Sequence, residues 1–178
     1  MFLWHLIWDE NLSQLQYTHA AIWAIIAETM LGFGDKAYEF FNMISPIEHS
    51  KTKIMAEKYR VEPYVIAADI HGSQNLTGVG GWTWYTGSSS WYYICAIKYI
   101  LGLNIKQGIC CIDPCIPHDW DGFEIKYKYG ESVYSIKVNN NNHKCKGVDF
   151  IKLDGIIIDN KQIRLMDDGM AHEVEVFM

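Results

Sequence analysis

The sequence has no basic run. Its 15 Lys and Arg are set against 21 Asp and Glu, a formal net charge of -6. Nucleic-acid binding needs a positive patch against the phosphates, so no nucleic-acid partner is expected. No apolar run approaches the roughly 20 residues that a membrane-spanning helix requires. No membrane span is expected. The opening MFLWHLIWDENLSQ has neither a basic segment ahead of its apolar residues nor a small-residue cleavage site, and it does not read as a signal peptide. Paired cysteine motifs are missing too. Cys95, Cys110, Cys111, Cys115 and Cys145 are odd in number, and CCIDPC lacks zinc-ligand spacing. This points to free thiols in a reducing, cytoplasmic compartment, with no metal. GxSxG, GxGxxG, HExxH and the Walker loop GxxxxGK[ST] are absent, which removes the commonest hydrolase, dinucleotide, metalloprotease and nucleotide signatures.

What is present is a globular composition. Hydrophobic residues make up 49% and charged residues 20% of 178, enough for one ordinary domain or two small ones. Aromatics reach 14%, and such rings serve core packing or flat surfaces for sugars and bases. The first half has helical spacing. In THAAIWAIIAETML, residues Ala20, Trp23, Ala24, Ala27, Met30 and Leu31 recur at threes and fours, with Thr18 as N-cap and the glycines of GFG as the stop. Asp35 is expected to cap a second helix carrying Ala37, Phe40, Phe41 and Ile44, closed by Pro46. Residues 45–81 read mostly as loop, with EPYVIAADI extended. A third helix is expected from Ser88 to LGLN. Three helices this apolar cannot bury themselves alone and look like part of a larger helical layer.

The period then changes. FEIKYKYG, SVYSIKVNN, VDFIKLDG and EVEVFM alternate apolar and polar residues, the mark of half-buried strands. Five or six short antiparallel strands suggest a β-sandwich, with Asn139–Asn142 as a polar hairpin tip. The fold class is α+β, divided as 1–107 and 108–178.

Three groups of residues could carry chemistry. The first is GGWTWYTGSSSWYY, Gly80–Tyr93, in which Thr86, Gly87 and Ser88 lead into a helix. A hydroxyl and free backbone N–H groups at a helix start can hold an anion, but Ser and Thr caps are commoner than anion sites. Both readings stand on the residues alone. The second is His19, which a single histidine's weak signal leaves as either an anion donor or a hydrogen-bonded structural residue. The third is a set of acids: Glu62, Asp69, Asp113, Asp119, Asp121 and Glu124. A glycosidase needs two carboxylates at a defined separation, and no pair stands out. His49, His71, His118, His143 and His172 are scattered and form no motif.

Longer stretches add a resemblance. QYTHAAIW, GDKAYEFFNMISPIEHSKT, EPYVIAADI, GGWTWYTGSSSWYY, ILGL, IDPCIPHDWDGFEIKYKYG and the closing LDG and DDGMAHEVEV follow, in order, the C-terminal end of glycoside phosphorylases of glycoside hydrolase family 94. The resemblance runs from about Gln16 to the end. The family includes cellobiose, chitobiose and β-1,2-oligoglucan phosphorylases and the phosphorylase-like region of cyclic β-1,2-glucan synthase, and the wording here looks closer to the β-1,2-glucan members than to cellobiose phosphorylase. It implies the last helices of an (α/α)6 toroid followed by a jelly-roll-like antiparallel β domain. It implies inverting phosphorolysis of a β-glucosidic bond to α-glucose 1-phosphate, with inorganic phosphate as co-substrate and no other cofactor. His19, Thr86 and Gly87 match the family's phosphate-binding positions. Trp82, Trp84 and Tyr85 would shape the sugar subsite.

The departures matter equally. The family's general acid and phosphate-binding Arg have no match in this sequence, and DENLSQL stands where the family reads RENGG-like. The resemblance therefore implies a partial phosphorylase whose acid lies upstream. Met1 to about Leu15 would come from a frame disruption or a downstream start. The expected partners are a β-glucan oligosaccharide, phosphate and an upstream polypeptide completing the barrel. Two alternatives accompany it: a catalytically inactive carbohydrate-binding or structural fragment, and part of a cellobiose or chitobiose phosphorylase or of a cyclic β-1,2-glucan synthase.

Overall fold

The first helix, α1, runs Thr18–Leu31 and contains neither Gly nor Pro. Gly32 ends it at φ 85, a left-handed angle that glycine adopts without a Cβ penalty. The Gly32 N–H donates to the Thr29 carbonyl at 3.1 Å and the Phe33 N–H to that of Glu28 at 3.0 Å. Those two bonds are the Schellman closure of a helix end. The computed structural model describes residues 15–73, 75–84, 86–158 and 161–178.

The apolar row that marks α1 as a helix lies on its outer side. Trp23 is 52% exposed, and Met30 and Leu31 are more open still. The buried face is Ala21, Ile22, Ile25 and Ile26, with Thr18 and Thr29. The helix is apolar nearly all round, so spacing alone could not choose between two rows. The second helix, α2, spans Gly34–Met43 and buries Ala37 and Phe40, with Ile44 just beyond, as expected. Asp35 lies inside its first turn, not at the cap; its carboxylate accepts from the backbone N–H of His118 at 2.8 Å.

A helix stands where loop was expected. The third, α3, covers Lys53–Tyr59, and Thr52 caps it by accepting from the Met55 N–H at 3.2 Å. Only Tyr59 in it is buried, so it leaves no apolar period to read. The fourth, α4, spans Ser88–Ile94 and continues as a π-helical stretch over Cys95–Ile100, where the Leu101 N–H reaches the Ala96 carbonyl at 2.8 Å.

The chain divides into two compact units: residues up to Ala27 with Tyr38–Cys95, and Glu28–Ala37 with Ala96–Met178. The first unit holds a small antiparallel sheet, β1 (Leu15–Tyr17), β2 (Asp69–His71) and β3 (Gly80–Gly81), in that order. Tyr17 pairs with Asp69, and Asp69 with Gly81.

Among its described residues the second unit holds eight strands. β4 (Leu103–Lys106), β5 (Ile109–Ile112) and β10 (Gln162–Arg164) form one sheet, ordered β10-β5-β4. β6 (Gly122–Tyr129), β7 (Ser132–Asn139), β8 (Phe150–Leu153), β9 (Ile156–Ile158) and β11 (Ala171–Phe177) form the other, ordered β6-β7-β11-β8-β9. Alternation along β7 buries Ser132, Tyr134, Ile136 and Val138. Ile151, Val174 and Val176 meet them in the core, each worth roughly 1.5–3 kcal/mol when fully buried.

Two expectations for this region are corrected. The β7–β11 pair is parallel, with Tyr134 opposite His172, so the sheet is mixed. A period of two reveals the face of a strand but not its direction. The Asn run is no hairpin tip, because β7 and β8 are separated by β11. Asn140 is fully buried and donates through Nδ2 to the carbonyls of Trp120 and Lys144 at 3.0 Å each, while its Oδ1 accepts from the Lys144 N–H. A buried carboxamide so satisfied is an anchor for the turn. Among the described residues no helix is long and apolar enough to cross a membrane, and no group of three or more His, Cys, Asp or Glu is placed to hold a metal ion.

Candidate functional site

The small sheet of the first unit gathers three distant pieces of chain. The Thr18 N–H donates to the Ala68 carbonyl, and the Ala68 N–H donates to the Trp82 carbonyl, both at 2.9 Å. This ladder fixes the first turn of α1 against the segment that leads into α4. It brings His19 and Gly87 together across the sequence. A Cβ on Gly87 would lie 3.3 Å from Nε2 of His19, tighter than ordinary packing. Gly87 has φ -75, an angle any residue can take, so what glycine provides is space beside the imidazole.

The ring itself is held by aromatics. His19 stacks on Tyr17 with centroids 5.0 Å apart, and Trp23 meets it edge-on at 6.4 Å. Trp91 meets Trp23 in turn at 6.1 Å. Yet His19 Nδ1 is buried with no hydrogen-bond partner among the described residues. An imidazole nitrogen left so costs desolvation free energy unless something donates to it or accepts from it. Such atoms are uncommon in folded proteins.

Thr86 completes the near side. Its Oγ1 accepts from the Ser88 N–H at 3.2 Å and lies 2.8 Å from the Ser88 hydroxyl. The hydroxyl pair thus caps the start of α4, while the helix N-cap residue itself, Gly87, offers no side-chain cap. The Thr86–Gly87–Ser88 turn at this helix start thus lies beside His19, with the Ser88 N–H bonded to Thr86 Oγ1.

The aromatic rim is open to solvent. Trp82 and Trp84 are 68% and 65% exposed and sit at φ 36 and φ 68. A left-handed angle is unusual for bulky residues and costs on the order of 1–3 kcal/mol each. Trp84 Nε1 donates to Glu62 at 3.2 Å, and Tyr64 meets its ring edge-on at 6.3 Å. The two indoles are thereby presented to solvent on a strained segment. Tyr85 lies outside the described residues. Gly81 needs its lack of a Cβ as well, since one would run into the Asp69 carboxylate.

Behind this surface, Tyr92 stacks on Phe41 at 4.0 Å and donates to the Phe41 carbonyl, and burial pushes its phenol well above the usual tyrosine range. All five cysteines are free, and burial raises the Cys95 thiol to about 12. A thiol so protonated is structural, not nucleophilic. Of the six acids, Glu62 is engaged by Trp84 and Asp69 is tied into β2.

A family model described as the glycosyl hydrolase 94 superfamily, catalytic domain, matches residues 9–102. The chain belongs to the glycosyl hydrolase 94 superfamily. The match covers α1 to α4 and therefore all the residues gathered here. Among curated relatives, the chain is 40% identical over 124 residues to a cyclic beta-(1,2)-glucan synthase of Rhizobium meliloti, covering 70% of this chain and 4% of that protein. It is 36% identical over 146 residues to an N,N'-diacetylchitobiose phosphorylase of Vibrio proteolyticus, covering 82% and 18%. A solabiose phosphorylase of Paenibacillus borealis is 27% identical over 173 residues, covering 97% and 22%. The chain thus spans less than a quarter of the length of each relative.

Proposed function

We propose that this chain supplies the phosphate half of the active site of an inverting glycoside phosphorylase of the β-1,2-glucan type, releasing α-glucose 1-phosphate. The observation that carries this reading is the juxtaposition of His19, whose Nδ1 has no partner among the described residues, and the Thr86–Gly87 turn at the start of α4. Phosphate is the nucleophile. It must be held by groups that orient it without taking its attacking oxygen, and imidazole, hydroxyl and backbone N–H groups do that. Trp82 and Trp84 form the sugar rim, where flat rings suit the apolar faces of a pyranose; Tyr85, the third residue expected there, lies outside the described residues.

The general acid and the remaining phosphate ligand come from sequence outside residues 1–178. The helices of the first unit belong to an (α/α)6 toroid, and the strands that follow form its jelly-roll-like companion. The exposed Trp23, Tyr93, Ile47 and Ile54 support that reading, because apolar surface on this scale is ordinarily covered. An upstream polypeptide would cover it. No cofactor beyond inorganic phosphate is involved, and the free thiols suit the cytoplasm.

The test is glucose 1-phosphate release from β-1,2-gluco-oligosaccharides or cellobiose with phosphate, measured for the chain alone and with the upstream segment. The expected outcome is no product from the chain alone and phosphate-dependent product from the pair. Turnover by the chain alone would sink the assignment of the acid to another segment. A pair whose turnover ignores phosphate would sink the phosphorylase reading.

A further inference from the structure

A second histidine is built in the opposite way. His172, in β11, is 6% exposed and lies opposite Tyr134 of the parallel strand β7, whose ring stacks on it at 4.7 Å. Its Nδ1 is 2.8 Å from Oδ2 of Asp154, in the β8–β9 turn. Its Nε2 is 3.2 Å from Oδ1 of Asp168, in the β10–β11 loop. Both ring nitrogens therefore face carboxylate oxygens. A neutral imidazole has one N–H and one lone pair, whereas an ionised carboxylate only accepts. A neutral ring would set its lone pair against an oxygen lone pair on one side.

The carboxylates are themselves fixed as acceptors. Asp154 Oδ1 takes the Glu173 N–H at 2.8 Å. Asp168 Oδ1 takes the Met170 N–H at 3.0 Å and the Ser132 hydroxyl at 3.0 Å. Ser132 must donate there, because its oxygen already accepts from the N–H groups of Asp168 and Gly169. Donors of this kind favour the ionised carboxyl, so the shared proton belongs to the ring. We propose that His172 is an imidazolium clasp, which ties the β8–β9 turn and the β10–β11 loop to β11 and loosens when its proton is lost.

The groups facing the ring are few. Tyr134 comes from β7, Asp154 from the β8–β9 turn and Asp168 from the β10–β11 loop. Asp167 is turned to the Glu131 N–H instead, and Glu173 is on the exposed face of β11. The hydrogen bond to Asp154 holds the His172 pKa above the ordinary histidine value, against the opposing effect of burial. Bonds from His172 and the Glu173 amide hold Asp154 below the usual carboxylate range, and the Met170 amide leads in doing so for Asp168. For the histidine, the stabilisation is fully present below about pH 6.5, the unfolded value, and is lost as pH rises through the raised folded value. For the carboxylates, it is present above the ordinary carboxyl range and lost on acidification through their lowered values.

Asp154→Asn separates the proton from the packing. The carboxamide oxygen can keep the Glu173 N–H, and its NH2 can donate to an unprotonated Nδ1 while Nε2–H still serves Asp168. A neutral ring is then fully satisfied. The experiment is ring-nitrogen NMR of the full chain across acid to alkaline pH, together with melting temperature over the same range. The expected result is both His172 nitrogens protonated at neutral pH, with a midpoint above the ordinary histidine value and a melting temperature that falls as pH rises through it. In Asp154→Asn the midpoint should drop below the ordinary value, only Nε2 should carry a proton at neutral pH, and the alkaline fall in melting temperature should flatten. A neutral His172 tautomer at neutral pH in the unaltered chain, or a midpoint unmoved by Asp154→Asn, overturns the clasp.

Discussion

His19 and His172 are the same residue type and each stacks on a tyrosine, yet one is left open and the other closed. At His172 each nitrogen has a carboxylate, each carboxylate has a backbone donor, and the Ser132 hydroxyl beside them is used in both directions. At His19 one nitrogen is buried without a partner among the described residues, and the other looks across the space kept by a glycine. A fully satisfied polar cluster rigidifies a fold, while an unsatisfied buried group carries a desolvation cost that its surroundings must offset. That difference is why phosphate binding is proposed for the first and a structural clasp for the second.

Substitutions can break that division. The largest effect is expected for His19→Ala in the complemented enzyme. Turnover should fall about 10²–10³-fold, the loss typical of one preorganised transition-state donor. The melting temperature should barely move, because Nδ1 makes no hydrogen bond among the described residues. Equal losses in both would merge the two histidines into one structural class. Next comes Tyr134→Phe in the closed region. The Tyr134 hydroxyl accepts from the Met166 N–H at 2.7 Å and donates to its carbonyl at 3.2 Å. Its removal orphans both and should cost about 1–3 kcal/mol by denaturant melts, with phosphate dependence unchanged. Thr86→Val should raise the phosphate KM about tenfold, one hydrogen bond to an anion. The smallest effect belongs to Gly87→Ala. Its φ permits alanine, so the chain should fold normally, while the methyl narrows the space at His19 and weakens phosphate dependence a few-fold.

The two regions were also unequally legible in the sequence. Strands β6, β7 and β11 show as alternation because one face of each is buried or half-buried and the other is more open, and α1, α2 and α4 show as apolar helical runs. Helix α3 does not show, since it buries only Tyr59 and rests on the Thr52 cap. The small sheet has strands of two and three residues, too short for any period, and its first pairing joins residues some fifty positions apart. That sheet is what carries His19 to Gly87, so family resemblance points to the open site while residue spacing is silent about it. The closed site had a local trace, Asp168 four residues before His172, but its other half comes from Asp154 across a strand pair. His172 therefore read as one scattered histidine among several.

One titration tests the central claim most directly. Inorganic phosphate is added to the chain at constant pH and ionic strength while the ring resonances of His19 and His172 are followed by NMR. The open-and-closed account predicts a saturable shift at His19 with His172 unmoved. Silence at His19 under phosphate, or a response of the two rings in step, would contradict it.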